Sequence, residues 1–405
     1  MMLRVKISCK KRLLLLLLTC ALFLYAFVPS QKNDWAIKLS PNSSCMQGDL
    51  RIFVYELPQI EKYQLTLKIS QFATENMVHE KLLSSNVRVQ DPLRADFFFV
   101  PVYPMGVVYK YKRADEAQKK LLYDSIKKYI PPDLKLITCL QESYNKAWCQ
   151  RQKYLAGFLK YTLSLLKFWD DNFGESRHIF IFPGGDQQNI FANWKEEIGR
   201  SVHLLVEGHY GNYFQNADDK QTQQQRRYMD IVIPGGGDYD TMRPYRKRKV
   251  RKIFLSYCGS FSGSKERETI PTILQQMKEY RKNLLFQEVC TKEQFLENLR
   301  TSRYCLTPAG STPWTARLYG AIAQLCVPVL FNTDVFIAPY DLDAIFNNLS
   351  IRVSSDDSFE PIIKSILEAD YEKIYKNLVE NRNKFMVNYS FPELFTELLK
   401  IRCRS

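Results

Sequence analysis

The chain has 405 residues, 45% of them hydrophobic and 25% charged, and carries a formal net charge of +14. That length and apolar share exclude a disordered or fibrous protein and suit a body with more than one core-forming unit. Sixteen glycines and 18 prolines are ordinary numbers, and no repeat period is visible.

The first dozen residues hold Arg4, Lys6, Lys10, Lys11 and Arg12 and no acid, and an uninterrupted apolar run from Leu13 to Val28 follows. This pattern predicts a cytoplasmic tail over 1–12 and one signal-anchor transmembrane helix over 13–28, with everything after it translocated. The run is a little shorter than the roughly 20 residues of an average span, within what thin early-secretory bilayers accept. A cleaved signal peptide is the alternative, disfavoured because Tyr25, Phe27 and Val28 extend the apolar segment and no small-x-small site closes it. A polar stem is expected over 29–49.

This topology puts the Asn-x-Ser triplets headed by Asn42, Asn348 and Asn388 on the lumenal side, as candidate N-glycan acceptors. Eight of the ten cysteines also lie beyond the span, in an oxidising space, and no pair has Cys-x-x-Cys spacing. Disulfides are therefore expected ahead of a metal site. Cys139 with Cys149 is one pairing suggested by nearness in sequence, and Cys258 with Cys290 another.

Short apolar runs then alternate with longer helical stretches, the pattern of stacked β-α units with mostly parallel sheets. A first Rossmann-like lobe is expected over 50–237. Its strands are Arg51 to Tyr55, Asp96 to Pro101, His178 to Phe182, Ser201 to Val206 and Asp230 to Ile233, and its helices include Ala114 to Tyr129 and Tyr154 to Asn172. Consecutive glycines in Pro234-Gly235-Gly236-Gly237-Asp238 mark a crossing between lobes. The second lobe, 238–405, has expected strands Lys252 to Tyr257, Asn283 to Val289, Arg303 to Leu306 and Val327 to Phe331. A helix from Pro313 to Gln324 joins the last two, and the tail from Phe359 to Leu399 reads as helical and closes the body.

Seven of the ten residues from Arg243 to Lys252 are basic. The compartment argues against nucleic acid as their partner; nucleotide phosphates, an acidic polysaccharide, or plain solvation of a linker remain open.

Ligands of open parallel sheets bind beyond the carboxyl ends of the strands. Two loops of the second lobe sit there. Gly259-Ser260-Phe261-Ser262-Gly263 follows the strand that Arg251 opens, and its small residues allow backbone N–H groups to approach a pyrophosphate. Arg303-Tyr304-Cys305-Leu306-Thr307-Pro308-Ala309-Gly310-Ser311-Thr312-Pro313-Trp314-Thr315-Ala316-Arg317 runs from a strand through a glycine-containing loop into a helix. Here Thr312 is the expected cap, Pro313 the first helical position, and Arg317 a cation one turn in.

The stretch from Ser302 to Asp334, with Arg-Tyr-Cys-Leu-x-Pro-Ala-Gly-x-Thr-Pro at its head and Leu-Cys-Val-Pro-Val-Leu near its end, resembles the exostosin signature of glycosyltransferase family 47. Three further blocks resemble the family in order along the chain: Arg51 to Pro58, Asp91 to Tyr103, and Arg251 to Gly259. The resemblance implies a GT-B-like body, two Rossmann-like lobes facing a cleft, that transfers a sugar from a UDP-sugar to a glycan or glycoprotein with inversion and without a catalytic metal or other cofactor. It implies donor contacts at Arg251, Gly259, Gly310, Ser311, Thr312, Thr315 and Arg317, and a disulfide between Cys305 and Cys326. It also implies a Golgi membrane location, the endoplasmic reticulum being the alternative.

Two positions depart from the family pattern. Members usually carry Asp or Glu three residues after the signature arginine, able to accept from the nucleotide ribose, where this chain has Gly320. The block Gly184-Gly185-Asp186-Gln187 has Gln187 in place of the usual His. An inverting transfer needs a group that takes the proton of the acceptor hydroxyl, and Asp186, Glu207 and His209 are the candidates. The departures motivate the competing reading, a catalytically silent partner of another glycosyltransferase or a glycan-binding protein. A heparin-binding or nucleic-acid-binding module rests only on the basic stretch.

Overall fold

The computed structural model describes residues 48–58, 72–132, 146–169, 175–184, 187–206, 229–245, 250–310, 315–331, 337–353 and 360–403. The expected span over 13–28 and the acceptor Asn42 lie outside them; among the described residues no helix is long and apolar enough to cross a membrane.

Two parallel sheets form two α/β lobes. The first has strands β1 (Ile52–Val54), β2 (Arg88–Val89), β3 (Phe97–Phe99), β4 (His178–Phe182), β5 (Val202–Leu205) and β6 (Asp230–Val232), in the order β2-β1-β3-β4-β5-β6. Its helices are α1 (Thr74–Leu83), α2 (Pro104–Arg113), α3 (Glu116–Ile126), α4 (Lys146–Leu163) and α5 (Trp194–Ile198). The second has β7 (Ile253–Cys258), β8 (Leu284–Gln287), β9 (Ser302–Leu306), β10 (Val327–Leu330) and β11 (Ile351–Arg352), in the order β11-β10-β9-β7-β8. Around it pack α6 (Tyr239–Met242), α7 (Lys265–Glu268), α8 (Ile270–Tyr280), α9 (Lys292–Thr301), α10 (Ala316–Ala323), α11 (Asp343–Leu349), α12 (Glu360–Glu368), α13 (Tyr371–Asn381) and α14 (Phe391–Arg402).

Most strands that the sequence predicted lie in the buried middle of a sheet; β8, half-buried at an edge, was predicted as well. Every residue of β3, β4, β5 and β10 is buried, as expected where helices cover both sides of a parallel sheet. The edge strands β2 and β11, two residues each, had no signal of their own and exist through pairing with β1 and β10.

Three helical expectations shift. The segment expected to run from Ala114 to Tyr129 is α3, opened by a capping box between Asp115 and Gln118, and then a tighter turn over Lys127–Tyr129. The helix expected from Tyr154 begins earlier and ends at Leu163 rather than Asn172. Beyond it Phe168 packs on Phe53 and Trp169 on His178, ring centroids 5.9 and 4.7 Å apart, so the apolar residues that continue the helical period serve the sheet instead. The tail is three α-helices with a 3-10 turn over Arg382–Phe385 between the last two, and Asp370 caps α13 by accepting from Lys373 N at 3.1 Å.

The crossing between lobes is a buried strap rather than a loose linker. Gly235, Gly236 and Gly237 are all buried, and Gly236 N–H donates to Thr74 Oγ1 at 2.5 Å. A Cβ at Gly236 would lie 2.8 Å from Thr74 N, so the glycine is required for this approach to the head of α1. Past the strap, α6 packs on α10. Gln324, fully buried, donates to the carbonyls of Thr241 and Arg243, both at 2.8 Å, and accepts from Arg300 Nε at 2.8 Å.

Gly320 lies in this contact. A Cβ there would stand 2.8 Å from Thr241 Cγ2 and 3.6 Å from Leu299 Cδ1, so α10 meets α6 at a place with no room for a carboxylate side chain. Gly320→Ala is expected to lower the unfolding temperature, because overpacking of about 1–3 kcal/mol outweighs a helix-propensity gain of about 1 kcal/mol. Thr241→Ser, which removes only the opposing methyl, should restore it. A double mutant no more stable than Gly320→Ala would disprove the contact.

Candidate functional site

The carboxyl ends of β7 and β9 and the start of α10 converge on one pocket of about 280 Å³, lined by Gly237, Asp238, Thr241, Met242, Arg267, Phe295, Thr315, Ala316 and Arg317. The start of α10 differs from expectation. The helix begins at Ala316, and Thr315, extended at φ −148° and ψ 129°, caps it by accepting from Arg317 N at 3.4 Å. Arg317 is therefore the second residue of the helix, closer to its positive end than the sequence suggested.

The guanidinium of Arg317 is held from below. Its Nε and Nη2 donate to the Cys258 carbonyl at 3.2 and 3.0 Å, and it lies over the Tyr257 ring, 4.9 Å from the centroid. Burial lowers its affinity for the proton; the Tyr257 side chain opposes that shift and Arg267 adds to it. A buried guanidinium whose fixed partners are a carbonyl and an aromatic face keeps an uncompensated positive charge, the condition for attracting an anion.

Gly259 makes this geometry attainable. At φ +148° it adopts a backbone that side-chain-bearing residues rarely take, and any Cβ there would run into Arg317 Nη2. Its own N–H is committed to Gln287 O at 2.9 Å, in line with the β7–β8 ladder, so the expected backbone donation from Gly259 to a pyrophosphate is corrected. The loop after it is braced by Tyr257 Oη donating to Ser260 O at 2.7 Å and by Phe261 stacked on Tyr257 at 5.9 Å.

Arg267, which sequence reasoning passed over, is the second cation of the pocket. Its Nε donates to Ala309 O at 3.0 Å, and Ser264 Oγ donates to the same carbonyl at 3.1 Å, tying α7 to the loop that leads through Gly310 to α10. A single arginine in the first turn of a short polar helix carried no local signal. Only its return to the signature loop reveals it.

Arg251 does not join this group. It precedes β7 at the amino end of the sheet, where its guanidinium donates to the carbonyls of Leu299 at 2.8 Å, Ser302 at 2.5 Å and Gln324 at 2.6 Å. Three carbonyls from α9, β9 and the end of α10 take three of its five N–H donors at the amino end of the sheet, away from the pocket, so it is a strut and the expectation of a donor contact is corrected. The other donor candidates Ser311 and Thr312, and the base candidates Asp186, Glu207 and His209, lie outside the described residues, as does the Gln187 side chain.

Disulfides join Cys305 to Cys326, Cα atoms 5.9 Å apart across neighbouring β9 and β10, and Cys258 to Cys290, Cα atoms 6.3 Å apart. Cys149 and Cys403 are also disulfide-bonded. Of the glycan acceptors, Asn348 is exposed on α11 and Asn388 is half-buried.

The Exostosin GT47 domain model matches residues 46–369. The chain belongs to the exostosin GT47 family. Among relatives of this exostosin-family glycosyltransferase, a probable glucuronosyltransferase of rice (Oryza sativa subsp. japonica) is 24% identical over 339 residues, 76% of this chain and 68% of the relative. A probable β-1,4-xylosyltransferase of Arabidopsis thaliana is 24% identical over 375 residues, 85% of this chain and 76% of the relative. Among solved structures, an α-glucosyltransferase in complex with UDP-glucose and DNA containing an abasic site aligns with a TM-score of 0.39 at 9% identity, over 87% of this chain and 100% of that one.

The first lobe of this exostosin-family chain adds a residue that sequence reasoning missed. Glu75, only 2% exposed at the head of α1, accepts from Met105 N at 3.0 Å through Oε1, while its Oε2 is buried without a hydrogen-bond partner. Met105 is in the first turn of α2, which follows β3, and Gly184, just past β4, lies against the Met105 sulfur. The carboxyl thus sits at the strand ends of the first lobe. Nothing in Thr74-Glu75-Asn76 marks these residues as buried in the sequence; only the fold does.

Burial holds the Glu75 carboxyl well above the usual carboxylate range, against the opposing pull of the Met105 and Gly106 amides. A folded pKa above the unfolded one means this group costs least below the unfolded value, near 4.5, and destabilises increasingly as pH rises through the folded value. Glu75→Gln is expected to lose less stability than the wild type as pH is raised from about 4.5 upward. Urea melts at stepped pH measure this, and parallel curves for the two proteins would disprove it.

Proposed function

We propose that this chain is a single-pass type II Golgi enzyme with a GT-B-like lumenal body, which transfers a sugar with inversion from a UDP-sugar to a glycan or glycoprotein acceptor. The observation that carries the reading is the pairing of Arg317 and Arg267 beside the capped start of α10, at the carboxyl ends of β7 and β9. Two backbone-held cations and a helix N-terminus suit the diphosphate of a nucleotide sugar. Gly310, Ser311, Thr312 and Thr315 belong to the same loop, and Gly259 gives Arg317 its space.

In this reading the charge that develops on the departing UDP is stabilised by Arg317 and Arg267, which are oriented before the reaction and need no reorganisation. The acceptor enters from the first lobe, and its hydroxyl proton goes to Asp186, Glu207 or His209. Gly320 supports the competing reading of a silent partner of another glycosyltransferase, since no carboxylate stands there to meet a ribose.

The test is UDP release by the purified chain across a panel of UDP-sugars with oligosaccharide acceptors, beside UDP binding by calorimetry. Turnover with one donor supports the transferase. UDP bound without turnover favours the silent partner, and no UDP binding at millimolar concentration removes the donor site itself.

A further inference from the structure

Resting on the donor-site reading, we propose that the pocket selects donors whose sugar is uncharged, and that Asp238 is the residue that turns away a uronate. The pocket wall has two cations and one acid among its described residues: Arg267, Arg317 and Asp238. Each arginine is already oriented by a backbone carbonyl, Ala309 O for one and Cys258 O for the other. Their remaining donors match the two negative charges of a sugar diphosphate, and among the described residues no third cation lines the pocket to meet a carboxylate on the sugar.

Asp238 is the charged group left for the sugar, beside the neutral hydroxyls of Thr241 and Thr315. It precedes α6 on the strap between lobes, and both of its fixed contacts fall on Oδ1, which accepts from Asp240 N at 3.0 Å and from Lys292 Nζ at 2.7 Å. Oδ2 is uncommitted among the described residues, and a carboxylate oxygen facing a pocket is a strong acceptor for sugar hydroxyls.

Lys292 does not reverse the sign of this wall. Its ammonium is shared with Asp240, at 2.6 Å, on which Arg243 and Arg300 also act, so Lys292 is divided between two carboxylates and does not answer Asp238 alone. Phe295, Met242 and Ala316 add apolar surface that offers a uronate nothing. Once a diphosphate has neutralised the arginines, a further carboxylate on the sugar meets like charge. A neutral hexose or pentose meets only an acceptor. At separations of a few ångströms in a partly buried site, this difference is worth at least about tenfold in affinity.

The experiment is displacement of a fluorescent UDP probe from the purified 405-residue chain by UDP, UDP-xylose, UDP-glucose and UDP-glucuronate. UDP-xylose or UDP-glucose is expected to bind at least about tenfold more tightly than UDP-glucuronate. Asp238→Asn should shrink that ratio by tightening UDP-glucuronate, with UDP itself little changed. Lys292→Met, which exposes the two acids, should widen it and covers the case in which Asp238→Asn fails to fold; thermal melts identify that case. Equal or tighter binding of UDP-glucuronate by the wild type overturns the selectivity while leaving the donor site standing. A ratio unmoved in both folded variants overturns the role of Asp238. Absence of UDP binding overturns the donor-site reading and this inference together.

Discussion

Arg317→Ala is expected to reduce kcat/KM by about 10²–10³-fold, the usual cost of removing one preorganised donor from developing negative charge. The side chain's Nε and Nη2 are committed to the Cys258 carbonyl, so the guanidinium is aimed before any ligand arrives. Lysine should not rescue it. A lysine has one ammonium on a flexible stem and cannot grip Cys258 O with two N–H groups, stack on Tyr257 and still present a donor to a phosphate. Arg317→Lys is therefore expected to stay within about tenfold of the alanine variant. UDP affinity should fall in both, and thermal melts separate that loss from unfolding. Activity of Arg317→Ala within a few-fold of wild type would remove Arg317 from the site.

The second large effect is on stability. The Cys305–Cys326 bond closes a stretch with a sequence separation of 21, and the Cys305→Ala/Cys326→Ala double variant should lose about 3 kcal/mol, read as a shift of the urea midpoint. Both cysteines are buried, 2% and 0% exposed, so alanine is a better replacement than serine, whose hydroxyl would need a partner. The loss should also reach the pocket. The stapled stretch contains the signature loop and all of α10, whose last turn is tied back by Cys326 N donating to Ala321 O at 2.9 Å. UDP affinity is expected to weaken along with stability, whereas unchanged affinity would show that α10 is aimed by its packing alone.

The sheets were readable because buried parallel strands leave continuous apolar runs. His178–Phe182 is such a run, and its bounds agree with expectation. The neighbourhood of the signature loop was legible for a different reason: its glycines, its prolines and Arg317 are unusual together. What resisted reading was long-range. Arg251 and Arg317 are equally plausible phosphate ligands as letters, yet one sits at the amino end of β7 among three carbonyls and the other at the carboxyl end over Tyr257. Arg267 and Glu75 are ordinary first-turn residues until β7, β9 and α2 are folded against them. Gly320 likewise reads as a missing acid, but in the structure it is the contact that admits α6.

The last helix gives the molecule a mechanical property. After the strap at Gly235–Gly237, the chain returns to the first lobe through α14, where Arg402 Nη1 meets Asp96 Oδ2 at 3.1 Å and Asp49 O at 3.2 Å, and Asp96 is also held by Arg51 at 3.0 Å. Two bodies joined by one strand can swivel about it. Here the Arg402–Asp96 ion pair and the packing of β6 against the turn at Pro339–Asp341 both oppose that swivel. Turning one lobe about the strap therefore requires breaking the Arg402–Asp96 pair at the far end of the chain.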